Sequence, residues 1–244
     1  MQKNPLAIPD EYVQAIILCN AHLAAQTCSV HFKKYIYERR KDNNMFIINI
    51  DKMWQKIILA ARAFVSIKNP SDIVVTSNKT FGRRAVLKFC EETGATPATG
   101  RFTPGSFTNK NIQGVNEPLL IIVSDSYADK QTVEEAAYVN TPCVAFVNSD
   151  NSFKNVDIVI PMNNRSPSSI ALGFYLLARA IKFLKGEESF DRSVKEDLEF
   201  YMFRDPAEIK AMENADETIA TENITSSTAL ESESTVGEAK GGWF

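Results

Sequence analysis

Only two histidines, His22 and His31, occur among the 244 residues, so a catalytic triad or an imidazole general base has few candidates. The glycine-rich signatures of phosphate binding are missing too. No G-x-G-x-x-G follows the first apolar run and no G-x-x-x-x-G-K-[ST] occurs anywhere; a G-x-S-x-G nucleophile elbow is also absent. No apolar run approaches the length expected of a bilayer span. The N-terminus, MQKNPLAIPDEY, breaks early with prolines and acids, unlike a secretory signal. The four cysteines (Cys19, Cys28, Cys90 and Cys143) are scattered, a pattern expected of reduced thiols in the cytosol. A zinc site is conceivable from the C-x2-H…C-x2-H spacing of Cys19, His22, Cys28 and His31. Cys19 falls on an apolar helical stretch, however, and buried cysteine is common without metal. No metal and no cofactor are expected.

What is present is a mildly basic body with an acidic end. Residues 205–244 hold nine acids and two bases, leaving 21 acids and 25 bases in residues 1–204. A basic body suits a polyanionic partner. The last stretch is rich in Glu, Ser, Thr and Ala and nearly empty of large apolar residues. It cannot bury enough surface to offset its ordering entropy. The organisation expected is therefore one folded domain over 1–210 and an acidic, disordered tail over 211–244.

Along the body, apolar runs alternate with helical spacing. YVQAIILCNAHLA reads as a helix after Pro9-Asp10. FIINI reads as a strand ending at Asp51, a good cap for KMWQKIILAARAFVSIK. DIVVTSN, LLIIVSD, CVAFVN and DIVIPMNN read as further strands, separated by the helices FGRRAVLKFCEET and KQTVEEAAYVN. SPSSIALGFYLLARAIKFLKG is the longest helix, closed by Gly186. Continuous apolar strands imply burial on both faces. The fold class is α/β: roughly five parallel strands flanked by helices on both faces, a Rossmann-like sandwich.

Such sheets place ligands at the carboxyl ends of their strands. Here those ends carry Asn49-Ile50-Asp51, Ser77-Asn78, Ser124-Asp125, Asn148 and Asn163-Asn164, most of which helix capping suffices to explain. Four other stretches suit an anion. KKYIYERRK interleaves Lys33, Lys34, Arg39, Arg40 and Lys41 with Tyr35 and Tyr37, able to neutralise phosphates and stack on bases. Asn78–Arg84 offers Lys79, Thr80, Arg83 and Arg84 at a helix start. GRFTPGSFTN sets Arg101, Thr103, Ser106, Thr108 and Asn109 around a Pro104-Gly105 turn. Within it Phe107 is expected as a core anchor and Phe102 as a partner contact. Asn163, Asn164 and Arg165 precede the longest helix. Together they suggest RNA recognised by shape and backbone.

The stretches KKYIYERR, NIDKMWQKIILAARAFVSIKNPSDIVV, GRFTPGSFTN, VDIVIPMNNRSPSS and FYMFRDPAEIK carry a resemblance over about Pro9 to Lys210. The chain resembles the eukaryotic small-subunit ribosomal protein SA family, the laminin-receptor-like relatives of the bacterial second small-subunit protein. The resemblance implies a non-enzymatic constituent of the cytosolic small subunit. It also implies contacts with small-subunit rRNA and neighbouring ribosomal proteins, and a part in subunit maturation and translation. The location implied is cytoplasmic, on the ribosome, with a nuclear stage possible during assembly. No membrane partner and no small-molecule substrate are expected. Two departures stand out: Ala21-His22-Leu23-Ala24 where the family has Thr-His-Leu-Gly, and Asp125-Ser126 where it has Asp-Pro. The alternatives are a cell-surface laminin-binding receptor, disfavoured by the missing signal and membrane segment, and a phosphate-metabolite enzyme on the doubly wound sheet.

Overall fold

A computed structural model describes residues 7–109, 111, 117–187 and 194–205. Contacts divide the chain into a unit Met1–Phe203 and a second, Arg204–Phe244. The acidic stretch 211–244 lies outside the described residues. In the first unit, helix α1 spans Asp10–Leu18. It ends before the Ala21–Ala24 stretch expected to continue it, because Asn20 turns left-handed (φ 54°). Ala21 and Ala24 are then buried in the core.

A 3-10 segment, Val30–Tyr35, leads into strand β1, Ile36–Arg39. Strand β1 pairs antiparallel with β2, Phe46–Ile48. This corrects the reading of FIINI as a member of the parallel sheet: it forms half of a separate two-stranded hairpin. Helix α2, Ile50–Val65, follows. Its cap is Asn49, whose side-chain oxygen accepts from Lys52 N–H at 3.2 Å, and not Asp51 as expected. Asp51 sits one residue into the helix, where its charge complements the positive end of the helix dipole.

The main sheet then builds from β3 (Ile73–Ser77), α3 (Arg83–Thr93), β4 (Thr96–Thr99), β5 (Leu120–Val123), α4 (Lys130–Val139), β6 (Cys143–Val147), β7 (Ile158–Pro161) and α5 (Pro167–Lys185). All its pairings are parallel, in the order β4-β3-β5-β6-β7. Five parallel strands were expected, but the fifth is Thr-Pro-Ala-Thr of β4. That strand has only one neighbour and alternates in burial, so it needs no continuous apolar run. Pro97 in β4 and Pro161 in β7 stand in the two edge strands, where a missing N–H discourages pairing with another chain.

Alternate residues of the strands feed two cores. Ile73, Val75, Ile122, Phe146 and Ile160 face a large cluster made with α1, α2, α3, α5 and the last helix, α6 (Val194–Tyr201). Val74, Ile121, Val123, Ala145 and Val159 face a smaller one made with α4, the 3-10 segment and Phe107. Helix α5 is buried from Ser169 to Ile181. By length and composition α5 is also long and apolar enough to cross a membrane, which corrects the expectation that no such run exists, yet 72% of that window is buried inside the protein. Its buried Arg179 pairs with Asp197 of α6.

The close approach of α5 to the sheet is at Gly173, where an added Cβ would lie 2.3 Å from Met162 Cε and 3.3 Å from Phe146 Cε1. Gly173→Ala is therefore expected to overpack this seam and cost about 1–3 kcal/mol in denaturant unfolding. A midpoint equal to that of the parent protein would contradict this packing.

Candidate nucleic-acid interface

The chain reverses its direction of growth at β3, with β4 on one side and β5 on the other, so the strand order changes sense between the carboxyl ends of β3 and β5. In open α/β sheets that crevice is where ligands bind. Here it is filled by the protein's own polar groups. The Asp125 carboxylate, just past β5, is buried. Its Oδ2 pairs with Lys79 Nζ at 2.5 Å. Its Oδ1 accepts from Asn151 Nδ2 (2.8 Å), Asn164 Nδ2 (2.8 Å) and Tyr127 N–H (2.9 Å). One carboxylate thus fastens the loops that follow β3, β5, β6 and β7. Lys79 also donates to Asn164 O at 2.7 Å.

Beside it, buried Asp129 accepts from Asn78 N–H at 2.8 Å and from Ser124 Oγ at 3.1 Å. Ser124 Oγ and Ser77 Oγ lie 2.9 Å apart. Burial raises the Asp129 carboxyl to about 6; the nearby Asp125 charge adds to the rise, while the Asn78 and Ser124 hydrogen bonds oppose it. Gly82 is required here, since a Cβ on it would lie 2.3 Å from Ser77 Oγ. Ser126 Oγ accepts from Asn151 Nδ2 at 3.2 Å.

The GRFTPGSFTN loop is tied down in a similar way. Ser106 N–H donates to Thr103 O at 3.2 Å across Pro104 and Gly105 (φ 86°), a type II turn. The buried Glu135 carboxylate of α4 accepts from the backbone N–H of Gly105 (3.0 Å), Phe107 (2.9 Å) and Thr108 (3.2 Å), and from Thr108 Oγ1 (3.1 Å). These amides already hold an internal anion. Phe107 is buried; Phe102 is half-buried with its ring 5.1 Å from that of Phe107. Arg101, Thr103 and Asn109 are exposed and Ser106 half-buried.

The remaining candidates divide by exposure. Tyr35 is turned into the core beside Phe32 and Phe153 and presents no stacking face. Tyr37 is exposed, as are Lys33, Lys34, Arg39, Arg40 and Lys41. Arg39 lies over Phe46 at 5.2 Å and donates to Asn44 O, and Arg40 pairs with Asp42 at 3.3 Å, so the hairpin holds both bases outward. Thr80 and Arg83 are exposed at the start of α3. A methyl placed on Gly100 would lie 3.6 Å from Arg83 Nη2, which brings this start beside Arg101. Arg84 is half-buried and donates to Phe200 O at 3.0 Å. Asn164 is buried, Asn163 Nδ2 reaches Asn20 O at 3.1 Å, and exposed Arg165 pairs with Asp150. Lys79 and Asn164 therefore brace the fold, whereas the hairpin, Thr80, Arg83, Arg101 and Arg165 reach solvent. Ser29 N–H donates to Ser149 O, past β6, at 2.7 Å, which anchors the approach to the hairpin on the same strand-end side.

The zinc pattern does not converge: Cys19 belongs to the larger core and Cys28 packs on the smaller. Among the described residues no group of three or more His, Cys, Asp or Glu could hold a metal ion. Burial pushes the Cys90 and Cys143 thiols up to about 12, far from reactivity near neutral pH.

Glu135 was not picked out from sequence. The available signal was a carboxylate on the same helical face as Thr132 and Ala136, both buried.

Residues 110–183 match the family described as Ribosomal protein S2. Small ribosomal subunit protein uS2 of Enterocytozoon bieneusi is 45% identical over 213 residues, 87% of this chain and 88% of that protein. The uS2 protein of Urechis caupo is 43% identical, covering 88% of this chain and 68% of that one. The uS2A protein of Saccharomyces cerevisiae is 45% identical over 203 residues, 82% and 79% of the two chains.

Asp125→Ala is expected to leave the half-buried Lys79 ammonium uncompensated and cost about 3–5 kcal/mol in chemical denaturation; a loss under 1 kcal/mol, roughly the worth of an exposed pair, would refute the hub. Because the folded pKa of Asp129 lies above its unfolded value of 3.8, the folded state binds the proton more tightly. Stability from this group is present below about pH 4 and lost as pH rises to about 6. Asp129→Asn should flatten that part of the stability-versus-pH curve; an unchanged slope would show that other groups set it.

Proposed function

The chain belongs to the small-subunit ribosomal protein uS2 family, and from that premise we propose that it is a structural constituent of the cytosolic small ribosomal subunit that binds small-subunit rRNA. Its exposed bases grip the phosphate backbone, and its other surfaces seat neighbouring ribosomal proteins. It is needed for subunit assembly and translation, and it converts no substrate.

The observation that carries this reading is the division of polar groups. At the strand ends, where a doubly wound enzyme would hold its ligand, Lys79, Asp125, Asp129, Asn151 and Asn164 are occupied with one another. Around that closed rim, Lys33, Lys34, Arg39, Arg40, Lys41, Arg83, Arg101 and Arg165 extend to solvent on short, well-fastened elements. Cations fixed around strand-end groups that are already engaged with one another suit a large polyanion bound at the surface. Exposed Tyr37 adds a ring able to stack on an unpaired base. Thr80 and Arg83, at the start of α3, add donors near a helix N-terminus, and no acidic residue stands in the first turn of α3.

A phosphate-metabolite enzyme would need the strand-end groups free, and the hydrogen bonds above count against it. A cell-surface receptor reading has no supporting feature in the described residues: the one helix apolar enough to span a membrane is the buried α5.

Replacing Arg39, Arg40 and Lys41 with alanine is expected to lower incorporation into small subunits by about tenfold or more at 150 mM salt, with a thermal midpoint within about 2 °C of the parent. Three lost phosphate contacts and three exposed side chains set those magnitudes. Sucrose-gradient sedimentation and thermal melting measure the two effects. Undiminished incorporation would remove the hairpin from the interface, and a melting point falling in parallel would assign these residues a structural role.

A further inference from the structure

We propose that the outer side of α4 is a protein-docking groove, and that its occupant is an extended segment of a neighbouring protein carrying charges of both signs around an apolar side chain. Tyr138 and Tyr127 are the two most exposed of the large hydrophobic side chains among the described residues, at 81% and 79%. They stand near opposite ends of α4. Leu119, also exposed, follows Pro118, whose O accepts from Thr141 Oγ1 just past the end of α4 at 3.1 Å. Exposed aromatic rings of this kind are enriched at protein interfaces.

Helix α4 also borders a groove. Two cavities, of about 320 and 310 Å3, lie between α4 and the segment Ser152–Asp157, and both are lined by Asn155. The first is floored by Val133 and walled by Tyr127, with Lys130 and Lys154 at its rim. The second carries Pro142 and Asp157. Together the two follow α4 from its first turn to its last. Asn155 holds the left-handed conformation (φ 60°), which fixes the bend of the facing segment.

Charge decides between protein and RNA here. The groove carries Lys130, which pairs with Glu134 at 3.5 Å, and Lys154 at one end, with Asp157 at the other end. The sum is neutral, in contrast with the five bases of residues 33–41 against Glu38 alone. A polynucleotide running along α4 would meet both carboxylates, a like-charge contact that disfavours it. A peptide segment with a carboxylate toward Lys154 and a base toward Asp157 satisfies both ends, with an apolar side chain on Val133 between them.

The inference rests on the small-subunit reading for its setting but not for its chemistry, and one cross-linking experiment separates the two. A photo-activatable phenylalanine analogue is placed at Tyr127, at Tyr138 or, as a control, at Tyr37, in the full chain within purified small subunits. Adducts from the Tyr127 and Tyr138 positions to one discrete protein are expected, and an adduct from the Tyr37 position to rRNA. Adducts from the α4 positions to RNA, to a second copy of this chain, or to nothing would overturn the docking groove. A protein adduct at α4 with no RNA adduct from Tyr37 would support the groove while contradicting the RNA-binding role of the hairpin. The double variant Tyr127→Ala, Tyr138→Ala, which touches only exposed rings, should lower retention on small subunits by about tenfold or more; full retention would overturn the proposal.

Discussion

The architecture depends on one buried charge. The Asp125 carboxylate sits where four loops meet, and each loop brings it a donor: Lys79 from beyond β3, the Tyr127 amide from its own loop, Asn151 from beyond β6 and Asn164 from beyond β7. A carboxylate buried alone would be expensive, but one matched by an ammonium and three N–H donors is compensated. That arrangement imposes its geometry on the whole rim. Phe81 rides on the same lysine, 5.6 Å from its ammonium, and Gly82 can follow only because no Cβ stands against Ser77. Thr80, Arg83 and Arg165 reach solvent next to loops that this carboxylate fastens, whereas the bases of residues 33–41 stand on the separate hairpin and the 3-10 segment before it. The same logic recurs at smaller scale around Glu135, which gathers three backbone amides of the Gly105–Thr108 turn.

Much of this was legible in the amino-acid sequence. The apolar runs IVVTS, LIIV, CVAFV and IVIP announced strands buried on both faces, and Gly94, Asn140 and Gly186 ended their helices in left-handed conformations as such residues do. What periodicity misassigned were the elements with little burial to advertise. FIINI looks like a core strand but pairs outside the sheet, and Thr96–Thr99, which has no apolar run to mark it, joins it. Both strands depend on contacts remote in sequence, which local pattern does not carry. The candidate site divided along the same line. Basic residues could be picked out by type, yet whether a base reaches solvent or closes an ion pair depends on what the fold sets opposite it. Lys79 and Arg83 are four residues apart and have opposite fates: one meets Asp125 and the other faces outward. Tyr35 and Tyr37 diverge for the simpler reason that neighbours two apart straddle the end of a 3-10 turn and the start of a strand.

The protein is thus a scaffold in which rigidity serves recognition. Prolines in both edge strands discourage pairing with another chain, α5 fills the larger core, and the Arg179–Asp197 pair fastens α6 to it. Holding cations on fixed elements lowers the ordering cost when a folded polyanion arrives. The neutral, tyrosine-bearing side of α4 differs in chemistry from the basic hairpin, which is why the proposed RNA contact and the proposed protein contact fall on different surfaces.

The central claim is that binding comes from exposed cations neutralising phosphates and not from a pocket. It is tested most directly by measuring the affinity of the purified protein for small-subunit rRNA as a function of salt. With four to six phosphates engaged, a plot of log affinity against log salt concentration should fall with a slope of about −3 to −5. A slope near zero, with affinity retained at high salt, would contradict the account.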